Sequence, residues 1–110
     1  MSKHVCIIGG SGFVGRAIVR RAIHHGHSVT VACRHPERSR ELQVEGARLA
    51  RVDITDGCGL DEAVQHADTV INLVGLLFEK GRYSFVAAHV HGTEHVLAAC
   101  QRAGVRQYLH

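Results

Sequence analysis

The sequence has little that would interrupt regular secondary structure, since it contains one proline and no tryptophan among 110 residues. No hydrophobic run approaches the ~20 residues that a membrane-spanning helix requires, so we expect no transmembrane segment. The first residues lead directly into an apolar run, without the charged, apolar and small residues typical of a secretion signal. We therefore expect a cytoplasmic protein.

The chain also lacks paired cysteines. Cys6, Cys33, Cys58 and Cys100 lie far apart and form no Cys-x-x-Cys motif. Cys6 and Cys33 fall in strand-like runs and Cys100 falls on a helix face. We therefore expect small buried side chains in a reducing compartment.

The positive charge is spread along the chain rather than gathered in one patch. The formal net charge is +3, with eleven arginines and two lysines against ten acidic residues. A nucleic-acid interface would favour clustered basic residues with aromatic residues between them, and this pattern is missing. The distribution argues against nucleic acid as a partner and favours a small anionic ligand.

The hydrophobic pattern alternates between short apolar runs, typical of buried strands, and longer stretches with the period of a helix. The length suits one domain, residues 1–110. Strands are predicted at residues 5–8, 29–33, 47–52 and 69–74, with a fifth beginning within 105–110. Helices are predicted at 13–25, in a short stretch that starts at 35–38, at 60–66 and at 84–102.

The first and last helices are amphipathic, and each ends at a glycine. In the first helix, Val14, Ile18 and Ala22 share the face expected to pack on the core, and Gly26 follows its end. The last helix is expected to end at Gly104. Its residues predicted to face the core are Val86, Val90, Leu97 and Cys100.

This alternation of strands and helices with short connections predicts parallel strands joined by right-handed crossovers. Helices would then cover both faces of the sheet. The predicted fold class is α/β, a doubly wound parallel sheet, and the sequence ends before or within the fifth strand. We expect the chain to be the N-terminal part of a longer protein.

A glycine-rich turn at residues 9–15 joins the first strand to the first helix. Gly9 allows a sharp turn, Gly12 leaves room for a diphosphate to approach the backbone, and Gly15 allows close packing of helix and strand. The unpaired amides at the positive end of the helix would face the anion. The alternative is a tight turn that binds nothing.

The spacing Gly-x-x-Gly-x-x-Gly resembles the extended and atypical short-chain dehydrogenase/reductase superfamily, whose members have Rossmann-type, epimerase/dehydratase-like domains. Three further segments carry the resemblance: Val52-Asp53-Ile54, Asn72-Leu73-Val74-Gly75 and His91-Gly92-Thr93-Glu94-His95-Val96. It implies that Asp53 lies near the adenine amino group and that residues 72–75 form a second wall around the dinucleotide. His89 departs from the family pattern, which usually has asparagine there.

Within the superfamily, residues 71–79 and 85–92 resemble the branch that includes the Rossmann-type accessory subunit of respiratory complex I and its bacterial relatives. The resemblance spans nearly all of the chain. It implies, as alternatives, a homo-oligomer or association with a membrane respiratory complex.

The residues after the second strand bear on the choice of dinucleotide. NAD-specific enzymes have an acidic residue there, which binds the ribose hydroxyls and repels a 2′-phosphate. This chain has Arg34 instead, and Arg38 follows close by. A planar, permanently charged guanidinium suits a phosphate, which favours NADP(H). Arg34 can also stack on adenine, which leaves NAD(H) open.

No catalytic residue is assigned. Hydride-transferring members of the superfamily use a Tyr-x-x-x-Lys pair, but Ala87 stands four residues after Tyr83, and only two residues follow Tyr108.

The histidines at 91 and 95, and those at 24, 25 and 27, lack the converging ligands of a zinc site, so we expect no metal. The residues predicted to bind the cofactor are Gly9, Ser11, Gly12, Phe13, Val14, Gly15, Arg34, Arg38, Asp53, Ile54, Leu73, Val74 and Gly75.

The predicted function is NADP(H) binding by part of a short-chain dehydrogenase/reductase-like protein. For the intact protein, the resemblance implies hydride chemistry on a carbonyl or sugar-nucleotide-like substrate, as an oxidoreductase or an epimerase/dehydratase. The alternative is a non-catalytic module that retains NADPH, like complex I accessory subunits and NmrA-like redox sensors. A Tyr-x-x-x-Lys pair beyond His110 would favour the enzyme.

Overall fold

Five parallel strands form one sheet in the computed structural model, which describes residues 3–74 and 90–110. The strands are β1 (His4–Ile8), β2 (Ser28–Cys33), β3 (Arg48–Arg51), β4 (Thr69–Asn72) and β5 (Gln107–Leu109). Their order across the sheet is β3-β2-β1-β4-β5, and every neighbouring pair is parallel. The predicted doubly wound Rossmann-type fold is confirmed. The fifth strand is present and pairs with β4.

Helices connect these strands where the sequence predicts them. They are α1 (Phe13–His24), α2 (Arg40–Val44), α3 (Leu60–Val64) and α4 (Gly92–Ala103). A single 3-10 turn, Pro36–Arg38, precedes α2, so the short helix expected from residue 35 onward is divided in two. Residues 84–89 of the predicted last helix, including Val86, lie outside the described residues. Within the two described ranges, no helix combines the length and apolar character needed to cross a membrane.

The helices cover the sheet in two layers. One face carries α1 and α2, and its buried core comprises Val5, Ile7, Val19, Val29, Val31, Leu42 and Ala47. The other face carries α3 and α4, and the largest side chains of its core are Ile8, Ile54, Leu60, Val64, Val70 and Val96. The continuous apolar run of β1 therefore supplies alternate residues to both layers, as a strand covered on both faces requires.

The buried face of α1 differs from the prediction. Val14 is 59% exposed, whereas Val19 is fully buried. Ile18 and Ala22, also predicted to face the core, are only partly buried. The reason is Gly15, whose missing side chain lets the start of the helix approach the glycine turn. The side of α1 that carries Gly15 and Val19 therefore faces the sheet.

The prediction for α4 is half wrong. Cys100 is buried as expected, but Val90 and Leu97 are each 45% exposed. Val96 and Ala99 face the core instead, because that side of α4 packs against α3 and the sheet. Helical periodicity identifies an apolar face but does not fix which flank of it meets the neighbouring element.

The cysteines behave as small core residues, with one exception. Cys6, Cys33 and Cys100 are buried, whereas Cys58 is exposed, and all four are free thiols. Burial raises the pKa of Cys6 to about 12 and also raises the pKa of Cys33 and of Cys100. The three buried thiols therefore stay protonated at neutral pH, as apolar packing requires.

Candidate functional site

Three adjoining clefts lie at the carboxyl ends of β1, β2, β3 and β4. The helices that follow β1 and β4 cover opposite faces of the sheet, so a crevice opens between these two strands, where doubly wound sheets bind their ligands. The main cleft has a volume of about 260 Å³. It is lined by Ile8, Gly9, Ser11, Gly12, Ala32, Cys33, Arg34, Val52, Ile54, Leu73 and Val74.

Two further clefts of similar volume share Arg34 with the main cleft. The polar cleft, about 300 Å³, is lined by Ser11, Arg16, Cys33, Arg34, His35, Arg38 and Ser39. The outer cleft, about 290 Å³, is lined by Arg34, His35, Arg51, Val52, Asp53, Asp56 and Cys58. Arg34 thus lies where the main, polar and outer clefts meet.

Gly9 begins the glycine turn and contacts both β2 and the chain that follows β4. Its amide donates a hydrogen bond of 2.9 Å to the carbonyl oxygen of Ala32, the residue before the end of β2. Its φ is +84°, and a Cβ here would lie 3.1 Å from the backbone nitrogen of Val74. Glycine is therefore required both by the left-handed conformation and by the close approach of the chain that follows β4.

Gly15 serves a packing role, although its contact differs from the prediction. A Cβ at Gly15 would lie 2.5 Å from the Cα of Gly10, a distance that real Cβ atoms do not show. The sequence argument expects this glycine to allow contact between helix and strand. The contact is instead with the turn itself, so Gly15 fixes how close α1 begins to the preceding loop.

Gly12 has no such internal reason to be glycine. It caps α1 with φ −77° and ψ 178°, an extended conformation that any residue adopts. The nearest atom that an added Cβ would meet is the carbonyl oxygen of Gly9, at an ordinary contact distance of 3.7 Å. Because Gly12 lines the main cleft, a side chain here would enter the space where a ligand would sit.

The start of α1 presents unpaired backbone donors to this space. The first helical hydrogen bond runs from the amide of Arg16 to the carbonyl of Gly12, at 2.9 Å, so the amides of Phe13, Val14 and Gly15 precede it. No side chain caps them, and the first turn carries no acidic residue. The side chain of Phe13 is 93% exposed, so this residue can contribute through its amide. Such a helix start is suited to an anion.

The loop after β3 supplies one apolar wall of the main cleft. Ile54 is buried and lines this cleft, and its carbonyl oxygen accepts a hydrogen bond of 2.6 Å from Nδ1 of His95 on α4. Asp53 lines the outer cleft instead. Its Oδ1 accepts hydrogen bonds from the amide and the hydroxyl of Thr55, at 3.0 and 2.6 Å, which hold the carboxylate in place.

The opposite wall, Leu73 and Val74, is held by Asn72. The Asn72 side chain is buried; its Oδ1 accepts a hydrogen bond of 3.1 Å from the amide of Val74. Its Nδ2 donates to the hydroxyl of Tyr108 on β5, also at 3.1 Å. Burial raises the pKa of Tyr108, so the phenol remains neutral in this arrangement. The chain after β4 is thereby fixed against the glycine turn.

The clefts bring together much of the predicted site. Seven of the predicted residues line the main cleft: Gly9, Ser11, Gly12, Arg34, Ile54, Leu73 and Val74. Arg38 lines the polar cleft and Asp53 the outer cleft, while Phe13, Val14 and Gly15 belong to the helix start beside them. Gly75 lies outside the described residues. Across the two described ranges, no three His, Cys, Asp or Glu side chains come together as a metal site.

Sequence reasoning missed ten residues at these clefts. Six line the polar and outer clefts: Arg16, His35, Ser39, Arg51, Asp56 and Cys58. The other four line the main cleft and end or follow strands: Ile8, Ala32, Cys33 and Val52. Their signal is present in the sequence, since the last residues of adjacent parallel strands meet at one edge of the sheet. Arg16 in the polar cleft has no such signal, because its position depends on contacts with α2 that no local pattern reveals.

Comparison with known proteins agrees with this geometry. Residues 5–110 match the NAD dependent epimerase/dehydratase family. The chain is 29% identical over 108 residues to the mitochondrial 40 kDa subunit of NADH-ubiquinone oxidoreductase from Neurospora crassa, covering 94% of this chain and 29% of that protein. It is 34% identical over 102 residues to 2-alkyl-3-oxoalkanoate reductase from Stenotrophomonas maltophilia, covering 92% of this chain and 30% of that protein.

A solved structure gives the same fold. The X-ray structure of Pen from Bacillus thuringiensis matches with a TM-score of 0.85 and 24% identity, over 97% of this chain and 37% of that one. The described chain therefore spans about a third of the length of these proteins.

The parallel sheet, the glycine turn and the family match together define a nicotinamide dinucleotide-binding domain of the short-chain dehydrogenase/reductase type. More particularly, the chain belongs to the NAD dependent epimerase/dehydratase family, since the match extends over residues 5–110 of the chain.

Proposed function

We propose that the main cleft holds the dinucleotide and that NADP(H) is preferred to NAD(H). The observation that carries the first part is Gly12, which neither backbone conformation nor packing requires to be glycine, and which opens onto the cleft. The diphosphate would be held by the amides at the start of α1, where the helix dipole favours negative charge. The bound nicotinamide supplies or accepts a hydride.

The two sides of the cleft suit the adenosine half of the ligand. Ile54 and Val74 offer apolar surfaces on opposite sides, and Arg34 lies between the main and polar clefts. An adenine ring fits between such walls, and the guanidinium of Arg34 can stack on it or reach the ribose. Asp53 lies beyond this position, in the outer cleft, where a carboxylate can accept from the adenine amino group.

The preference for NADP(H) rests on the polar cleft. Arg34 and Arg38 line it together with the hydroxyl-bearing Ser39, and no acidic residue is among its lining residues. A 2′-phosphate carries two negative charges, for which guanidinium groups are favourable partners. Acidic residues would repel that phosphate, and the two that line these clefts, Asp53 and Asp56, lie in the outer cleft instead.

Isothermal titration calorimetry of this chain with NADPH and NADH tests the proposal. We expect both to bind, with NADPH binding more tightly. Failure to bind either ligand contradicts dinucleotide binding at this cleft. Equal affinities contradict only the assignment of the polar cleft to the 2′-phosphate.

For the intact protein we propose an oxidoreductase or epimerase/dehydratase that acts on a carbonyl or sugar-nucleotide-like substrate. The 34% identity to a 2-alkyl-3-oxoalkanoate reductase supports it. The 29% identity to a subunit of NADH-ubiquinone oxidoreductase supports a second candidate, a non-catalytic module that retains NADPH within an assembly or a homo-oligomer. Decay of the 340 nm absorbance of NADPH when carbonyl compounds are offered to the full-length protein distinguishes them. A cytoplasmic location stays a prediction.

A further inference from the structure

Arg16 occupies a position on α1 that is unfavourable for a cation. It lies in the first turn of the helix, where the dipole already places positive charge, and no acidic side chain of that turn offsets it. Its side chain is only 27% exposed. An arginine held in such a place needs partners elsewhere in the fold.

Those partners lie on both sides of the polar cleft. The Arg16 Nε donates a hydrogen bond of 2.8 Å to the carbonyl oxygen of Ser11, within the glycine turn. One terminal nitrogen pairs with the carboxylate of Glu41 on α2. The other donates to the hydroxyl of the buried Ser39 at 3.4 Å. A single planar group therefore ties the glycine turn to the segment that carries the polar cleft.

The contact with Ser11 fixes the orientation of a peptide group next to the main cleft. In a trans peptide the carbonyl and the following amide point in opposite directions. The Ser11 carbonyl points to Arg16, and the amide of Gly12 lies 3.3 Å from the carbonyl oxygen of Gly9. Without Arg16 this peptide group is held only by the long hydrogen bond from Gly12 to Gly9, and rotation that directs its oxygen into the cleft would repel an anion held by the helix start.

We propose that Arg16 is a positioning residue of the dinucleotide site, which orients the glycine turn for the diphosphate without contacting the 2′-phosphate. The inference rests on the dinucleotide binding proposed above. It places the effect of Arg16 on a part of the ligand that NADPH and NADH share. Loss of Arg16 should therefore weaken both ligands by the same factor.

The chain provides a matched control in Arg20. One helical turn further along α1, its Nε pairs with the carboxylate of Glu45 just after α2, at 2.9 Å. Both arginines thus bridge α1 and the α2 segment, and each lies 25 residues before its glutamate partner in the sequence. Arg20 lies one helical turn further from the glycine-rich loop than Arg16 does, and its side chain is 52% exposed. Substituting Arg20 removes a bridge between α1 and the α2 segment without touching the Ser11 carbonyl.

The test compares this chain with its Arg16→Lys and Arg20→Lys variants by calorimetric titration with NADPH and with NADH. Lysine keeps the charge but lacks the planar fork that reaches three acceptors at once. We expect Arg16→Lys to weaken both ligands roughly tenfold, the size expected for losing one hydrogen bond to a charged group. We expect Arg20→Lys to leave both affinities unchanged within about twofold.

Each other outcome overturns the inference. Wild-type affinity in Arg16→Lys, or equal losses in both variants, removes any special role of the Ser11 contact. A loss confined to NADPH makes Arg16 a ligand of the 2′-phosphate instead. If the unaltered chain binds neither dinucleotide, the proposed function fails first and the inference fails with it.

Melting temperatures of the two variants separate positioning from stability. Arg16→Lys should melt below Arg20→Lys, because it also loses the hydrogen bonds to Ser11 and Ser39, but both variants should be fully folded at the temperature of the titration. If Arg16→Lys does not fold, proton exchange in the unaltered chain decides. Adding NADPH should slow the exchange of the Arg16 Nε proton and leave that of Arg20 unchanged, and an equal effect of NADPH on both protons contradicts the proposed role.

Discussion

Replacing Gly12 with valine tests whether the glycine turn binds a ligand or only makes a tight connection. The backbone at this position, φ −77° and ψ 178°, is one that a β-branched residue adopts without strain. The added Cβ meets only the Gly9 carbonyl oxygen, at 3.7 Å. Loss of glycine at a helix N-cap costs up to about 1 kcal/mol, partly offset by the lower entropy of the unfolded chain. We therefore expect the free energy of unfolding to change by less than about 1 kcal/mol.

The effect on binding should be much larger. The branched side chain would fill the space in front of the amides of α1 and keep a diphosphate from approaching them. Losing two hydrogen bonds to a charged ligand corresponds to roughly 3 kcal/mol, or more than a hundredfold in affinity. Calorimetric titration with NADPH measures this, and circular dichroism checks that helix content is kept.

Gly15→Ala is the control for this experiment, because it adds less volume at a place with no room. Its Cβ would lie 2.5 Å from the Cα of Gly10, so the helix or the turn must move. Overpacking of this kind costs about 1–3 kcal/mol. We expect Gly15→Ala to lower the melting temperature and Gly12→Val to leave it nearly unchanged. If Gly12→Val binds NADPH as well as the unaltered chain does, the turn is only structural.

Three further predictions concern cofactor choice, catalysis and pH. Arg34→Asp should shift preference from NADPH toward NADH, because it reverses the charge beside the polar cleft; an unchanged ratio of affinities in calorimetry would refute this role. A chain of these 110 residues should show no dehydrogenase turnover at 340 nm with any carbonyl substrate, since it has no Tyr-x-x-x-Lys pair; measurable turnover would show that another proton donor exists. Burial lowers the pKa of His4, whose Nε2 lies 3.0 Å from the Thr30 hydroxyl. The unfolded chain then binds this proton more readily, so stability should fall as the pH drops below about 6.5, and urea unfolding of His4→Gln should show a smaller drop than the unaltered chain.

The order of strands and helices could be predicted because each element carries a local signal. The apolar run of β1 ends at a glycine pair, and α1 begins where the period changes, so both bounds follow from sequence. The orientation of α1 about its axis could not be predicted in this way. Val14 and Val19 are both apolar, and only the contact of Gly15 with the turn decides which of them meets the sheet.

The same limit applies to the site. Arg34 and Gly12 follow from motif position, because the end of each parallel strand meets the same edge of the sheet. Arg16 does not, because its partner Glu41 is twenty-five residues away and belongs to another helix. In the sequence alone, Arg16 and Arg20 are equivalent charged residues on the polar face of α1. Both pair with a carboxylate of the α2 segment in the folded chain, and they differ because Arg16 also reaches the Ser11 carbonyl of the glycine turn.

The three glycines of the motif show why a spacing pattern is weak by itself and informative once the fold is known. A Cβ at Gly9 would press on the backbone after β4, and one at Gly15 on the turn, so both glycines would be needed in a turn that binds nothing. Gly12 is the only one of the three whose missing side chain leaves open space in front of unpaired amides. The functional content of the motif therefore resides in its middle glycine, while the outer two build the turn that carries it.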